Sequence, residues 1–159
     1  MGPIADACPE VCRATLLAIQ DCHRVVFSQE GWDEWNRHES RFARQWRRRM
    51  VASRKVVILG DVQDGEFREA LSRAAGSPAV KRALAKDAHL IEAANAADRI
   101  VISRDEQVRG YFCSACSAVA LLRAISWANP EIGSEGVVAW LRNGAKVERA
   151  RRLDASPIR

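Results

Sequence analysis

The stretch K-D-A-H-L-I-E-A-A-N-A-A-D-R-I-V-I-S-R-D, residues 86–105, decides how the chain is read. Its first half places Leu90, Ile91 and Ala94 at helical spacing, which predicts a helix opening near Asp87 and running to about residue 97. Its second half changes period. Ile100, Val101 and Ile102 are a short β-branched run that predicts a buried strand over residues 99–103, with Asp105 directly after it. A helix feeding a buried strand is the repeating unit of an α/β domain. In such domains chemistry gathers beyond the carboxyl ends of the strands, where Asp105 falls.

The same alternation extends in both directions. Residues 9–20 read as a helix opened by Pro9, and residues 24–27 as a strand. Ser28 is placed to cap the next helical stretch, where Trp32, Trp35, Phe42, Trp46 and Met50 form a rough 3.6-residue stripe. That stretch is one helix or two, with a break near Ser40. Residues 56–59 read as a strand, and 66–75 as a helix stopped by Gly76-Ser77-Pro78. Residues 108–122 read as helical, 124–127 as a strand, and 135–142 as a helix capped by Ser134 and closed at Gly144. The expected fold is α/β with a central parallel sheet. A single domain over residues 1–144 is followed by a basic extension over 145–159.

The chain has 159 residues, with 48% hydrophobic and 28% charged, an ordinary globular balance for one core. No apolar run approaches the roughly 18 residues of a membrane span, and the N-terminus lacks a signal-peptide pattern, so a cytoplasmic protein is expected. The formal charge of +5 is unevenly placed. Between Ser40 and Gly60 there is no acid, but there are seven bases: Arg41, Arg44, Arg47, Arg48, Arg49, Arg54 and Lys55. Such a face either attracts a polyanion such as nucleic acid or is simply solvated. The five cysteines are an odd number, which argues against a fully paired disulfide framework. Cys8, Cys12, Cys113 and Cys116 have spacings that a zinc site uses, but Cys113 and Cys116 sit in an alanine- and serine-rich helical stretch where small buried thiols are the preferred account.

Three acids are expected near strand ends: Glu34, Asp87 and Asp105. A cluster of carboxylates repels itself unless a cation sits in it, and hard divalent ions prefer carboxylate oxygen. Each acid also has a purely structural reading. Asp87 suits a helix N-terminus, Asp105 suits a cap or turn, and Glu34 suits an exposed helical position beside Arg37 or His38. His89, two residues beyond Asp87, reads as a surface or packing residue directed elsewhere on the helix.

The wording around these acids resembles the PIN-domain family. Lys86 to Ala94 is similar to that family's aspartate-led helix, and Ile100-Val101-Ile102-Ser103-Arg104-Asp105 to its strand followed by Thr/Ser-x-Asp. Val25-Val26-Phe27-Ser28 with Trp32-Asp33-Glu34-Trp35 is similar to its strand, turn and glutamate-bearing helix. The resemblance covers residues 12 to about 144. It implies a three-layer α/β/α architecture with a central parallel sheet. It also implies a ribonuclease that uses Mg²⁺ or Mn²⁺ to cleave single-stranded RNA, with Glu34, Asp87 and Asp105 as metal-binding acids. Ser103 would then support the metal or its water, and Arg44, Arg47, Arg48 and Arg104 would hold RNA phosphates. Many members of the family are toxins held by an antitoxin protein, and homodimers are common among them. The family's first strand, ending in a catalytic Asp, has no counterpart here; Met1 to Ala5 contain Gly2 and Pro3, which are unfavourable in a central strand. The first strand is therefore expected to be absent or degenerate, with an upstream start codon or a decayed site as the explanation. Asp6 is the candidate substitute acid. A catalytically impaired, RNA-binding or regulatory relative is the alternative expectation.

Overall fold

Serine and aspartate side chains set where most of the longer helices begin. Ser28 accepts the Gly31 amide, Ser40 that of Ala43, Asp64 that of Phe67, Ser77 that of Val80 and Asp105 that of Val108. Each satisfies one of the amides that a helix leaves without an internal partner, a contribution of about 1 kcal/mol apiece. The computed structural model describes residues 8–155, so Asp6 lies outside the described residues. In chain order the elements are α1 (Glu10–Cys22), β1 (Val25–Phe27), α2 (Gln29–His38), α3 (Arg41–Ala52), β2 (Val56–Ile58), α4 (Gly65–Ala74), α5 (Pro78–Asn95), β3 (Ile100–Ile102), α6 (Glu106–Ala115), β4 (Ser126–Ala128) and α7 (Val137–Arg142). Short 3-10 turns occupy Ala120–Ala124, Gly133–Glu135 and Arg149–Arg151.

The α/β class and the parallel pairing agree with the sequence reading. Among the described residues the strands form two separate two-stranded sheets, β1–β2 and β3–β4, both parallel. The chain divides into two compact units.

The first unit comprises residues 8–60 and 130–146. Val25 pairs with Val56 and Phe27 with Ile58. The long helical stretch is broken at Glu39-Ser40, which gives α2 and α3. Trp46 of α3 is 2% exposed and its indole N–H donates to the Leu16 carbonyl of α1 at 2.6 Å. Its ring lies 5.5 Å from that of Trp35, and Phe27 of β1 meets Trp32 and Trp35 edge-on at 5.4 and 5.6 Å. The aromatic stripe therefore covers β1 and locks α3 onto α1. The last helix, α7, returns to α1: the His23 ring lies 2.6 Å from the Leu141 carbonyl, and Arg142 pairs with Asp21 at 3.1 Å.

The second unit comprises residues 61–129 and 147–155. Its core joins Phe67 and Leu71 of α4, Leu84 and Ile91 of α5, Phe112 of α6 and Trp127 of β4. Buried Glu92 ties α4 to α5, accepting two bonds from Arg68 and one from the Asp64 amide. The basic extension is divided. Residues 147–155 pack onto this unit, with Leu153 1% exposed, its amide bonded to Ile125, and Arg152 bridged antiparallel to Ser126. No described helix is long and apolar enough to cross a membrane.

The main correction concerns α5. Gly76-Ser77-Pro78 does end α4, but Ser77 and Pro78 are also the cap and first turn of the next helix. The helix therefore begins nine residues before Asp87, and Asp87 lies in its interior. Elsewhere, α6 stops at Ala115 and the chain passes through a 3-10 turn before β4, where a continuous helix over 108–122 was expected. α7 begins after Gly136, which holds the left-handed backbone (φ 55°), rather than on a Ser134 cap.

Arg99 joins α5 to β3 with a positive φ of 63°, and its amide closes on the Ala94 carbonyl at 2.8 Å. An L-residue in this region costs about 1–2 kcal/mol. Because the Arg99 side chain is exposed, Arg99→Gly should raise stability by up to about 1 kcal/mol in urea denaturation, while Arg99→Val should lower it. A marked loss of stability in the glycine variant would contradict this description of the turn.

Candidate functional site

At the carboxyl end of β3 the backbone turns through Ser103, Arg104 and Asp105. The Ser103 amide still pairs with Ala128 of β4 at 3.1 Å, and its hydroxyl oxygen accepts the Asp105 amide at 3.1 Å. Asp105 is exposed, and its Oδ1 caps α6 by accepting the Val108 amide at 2.9 Å. The capping reading of Asp105 is thus correct as structure. It places a carboxylate at a fixed point just beyond the strand.

Sequence reading missed the side chain that supports this turn. Asn129, 2% exposed after β4, donates to the Arg104 carbonyl at 3.3 Å and to the Glu106 carboxylate at 2.9 Å. Arg109 holds the same Glu106 oxygen at 3.1 Å and reaches the Trp127 carbonyl at 3.3 Å. The ends of β3 and β4 are therefore laced by a polar network that fixes the backbone carrying Asp105. The only sequence signal for it was Asn129-Pro130, which read simply as a strand terminator.

Asp87 occupies an unusual place. Spacing along α5 puts it on the same stripe as Leu84, Ala88, Ile91 and Ala94, all buried in the core of this unit. Asp87 itself is half-buried. Its interior position removes the helix-terminus explanation, because the favourable dipole field fades within the first turn. His89 is buried, as a packing residue would be, but it is not directed away from Asp87. It is 3% exposed, and a ring nitrogen of His89 and a carboxylate oxygen of Asp87 lie within 4.8 Å of one another. Residues two apart sit on different sides of a helix, so their side chains must converge beyond the backbone for this approach.

Glu34 lies within α2 and is half-buried. Arg104 is exposed beside Asp105. The four predicted phosphate-binding arginines are not equivalent. Glu39, the acid immediately before the acid-free stretch, is only 2% exposed in its side chain and takes both Arg47 nitrogens at 2.8 and 2.9 Å. Arg47 is further stacked over Trp32 at 5.6 Å, while Arg44 reaches Glu39 at 3.3 Å with 54% of its side chain exposed. Arg48 is exposed. Hydrogen bonding from Arg47 holds the Glu39 carboxyl below its usual range, against the opposing effect of burial.

Of the C-x-x-C thiols, Cys116 is buried. Burial, with smaller contributions from Cys113 and Asp154, pushes its thiol up to about 11. Its sulfur donates to the Phe112 carbonyl at 3.4 Å, as buried structural thiols do. Comparison with known proteins finds no matching family model, no matching curated protein and no matching solved structure.

The Glu39–Arg47 pair carries a pH signature. A carboxyl whose folded pKa is depressed adds stability that is fully present above its unfolded value, near 4.5, and is lost as the pH falls through the folded value. In urea denaturation at neutral pH, Arg47→Ala should lose about 2 kcal/mol, because it leaves the Glu39 carboxylate with only the longer contact to the exposed Arg44. The gap between the natural chain and Glu39→Gln should narrow as the pH drops below the unfolded value. A gap independent of pH would show that the pair adds nothing of this kind.

Proposed function

We propose that this chain is a PIN-like endoribonuclease that cleaves single-stranded RNA with Mg²⁺ or Mn²⁺. The observation that carries the reading is Asp87: a carboxylate on the core-facing stripe of α5, close to a buried imidazole, where packing alone would favour an apolar residue. It stands in a stretch whose order of helix, strand and Ser103-Arg104-Asp105 resembles the PIN family. Parallel pairing in both sheets is compatible with that family's three-layer architecture around a central parallel sheet, which belongs to the same proposal.

The donors suit the ion. Asp87 and Asp105 offer carboxylate oxygens, as hard divalent cations require, and His89 offers a nitrogen that Mn²⁺ accepts more readily than Mg²⁺. Glu34 is assigned the same role by the resemblance. When bound, the cation supplies an activated water and offsets charge on the phosphodiester. The chain's own part is positional. Asn129 and the Ser103 hydroxyl hold the Asp105 turn, α5 holds Asp87, and Arg44, Arg48 and Arg104 attract phosphates by charge. An antitoxin partner and a homodimer accompany this reading through the resemblance alone.

A second reading rests on the cap made by Asp105. An aspartate already used to begin α6 needs no metal to explain it, which favours a non-catalytic, RNA-binding or regulatory relative.

The two readings separate in one assay. Asparagine caps a helix about as well as aspartate, so Asp105→Asn removes the anionic ligand while leaving α6 intact. Metal-dependent cleavage of single-stranded RNA should fall at least about a hundredfold in Asp87→Asn and in Asp105→Asn. Cleavage that persists in both variants would refute the assignment. RNA binding with no turnover at any Mg²⁺ or Mn²⁺ concentration would establish the second reading instead.

A further inference from the structure

The arginines of α3 fall on two different faces. Ala43, Trp46 and Met50 are buried, which fixes the inward side of the helix. Arg41, Arg44 and Arg48, spaced by three and four residues, lie on the opposite side and are exposed. Arg47 lies beside the buried side, where Glu39 and Trp32 hold its guanidinium. The sequence places no acid between Ser40 and Gly60; Glu39, just before that stretch, reaches Arg44 at 3.3 Å but leaves its side chain 54% exposed.

We propose that Arg41, Arg44 and Arg48 form a track for the phosphate backbone of single-stranded RNA, read without regard to base, and that Arg47 is a structural residue outside it. The assignment rests on RNA being the polymer this chain acts on, and it adds which residues bind and which do not. The three arginines span about 10 Å along the helix axis, at 1.5 Å per residue. Guanidinium groups on a stiff helix suit phosphate oxygens, to which they can donate in parallel. An anionic membrane surface fits less well. The outer side of α3 carries Gln45 and Ala52 with the arginines, and Val51, 49% exposed, is its one sizeable apolar contribution. A helix that settles into a lipid interface needs a broad apolar face instead.

The track is tested with a fluorescein-labelled oligouridylate, whose weakly stacking bases leave mainly the backbone to be read. Anisotropy titrations are run in EDTA over a series of salt concentrations, so that no metal-dependent cleavage intervenes. Binding should weaken linearly with the logarithm of salt. In the triple variant Arg41→Ala/Arg44→Ala/Arg48→Ala the slope should fall by about two, given roughly 0.7 per phosphate contact on a single strand. Alanine favours helix, so α3 is expected to persist, and circular dichroism checks this. The single variant Arg48→Ala should lower the slope by about 0.7, and the triple lysine variant should keep most of it. Lys81→Ala/Arg82→Ala/Lys86→Ala, which removes equal charge from the exposed side of α5, should leave the slope near that of the natural chain.

No measurable binding by the natural chain, an unchanged slope in the α3 variants, or an equal loss in the α5 variant would each overturn the proposal. Failure of metal-dependent cleavage would not, because these measurements contain no metal. Track and catalysis are thereby judged separately.

Discussion

A carboxylate on the core-facing stripe of a helix is costly unless a cation or hydrogen-bond donors meet it. Asp87 is such a group: Leu84, Ala88, Ile91 and Ala94 share its stripe and are buried. Much else in the second unit can be understood around this placement. The helix is long, 18 residues, and is held in register by the Ser77 cap at its start and by the Glu92–Arg68 pair near its end. β3 follows immediately, and Asn129 and Arg109 fix the turn that carries Asp105. Both acids therefore stand on backbone held by buried or capping hydrogen bonds.

The first unit organises charge by a different device. Its arginines could have formed one undifferentiated basic surface. Instead, the break at Glu39-Ser40 places a single buried acid against the side of α3 and withdraws Arg47 into an ion pair and a stack on Trp32. The remaining outer arginines keep a regular helical spacing. Glu39 thus draws Arg47 out of the basic face, while Arg44, which it also reaches, stays 54% exposed.

Much of the fold was legible because period and punctuation agreed. Ile100-Val101-Ile102 read as a strand and is one, and of the helical stripe Trp46 and Met50 are buried. Misreadings arose where one short signal served two elements. Ser77-Pro78 stops one helix and starts the next, so α5 was begun too late and Asp87 was given a terminal position it does not have. The acid-free basic stretch begins at Ser40, one residue past Glu39, which neutralises part of it. Asn129 was invisible because its importance lies in carbonyl and carboxylate partners some 25 and 23 positions away, which no local pattern announces. Division of the strands into two pairs also lay beyond local reading, because pairing depends on contacts between distant segments.

Metal binding at Asp87 is the claim on which the functional account turns, and it can be measured apart from any cleavage. Mn²⁺ titrated calorimetrically into the natural chain should give saturable binding that is strongly weakened in Asp87→Asn, a substitution that removes the charge and keeps the shape. Binding that is absent in the natural chain, or equal in the two proteins, would contradict the account.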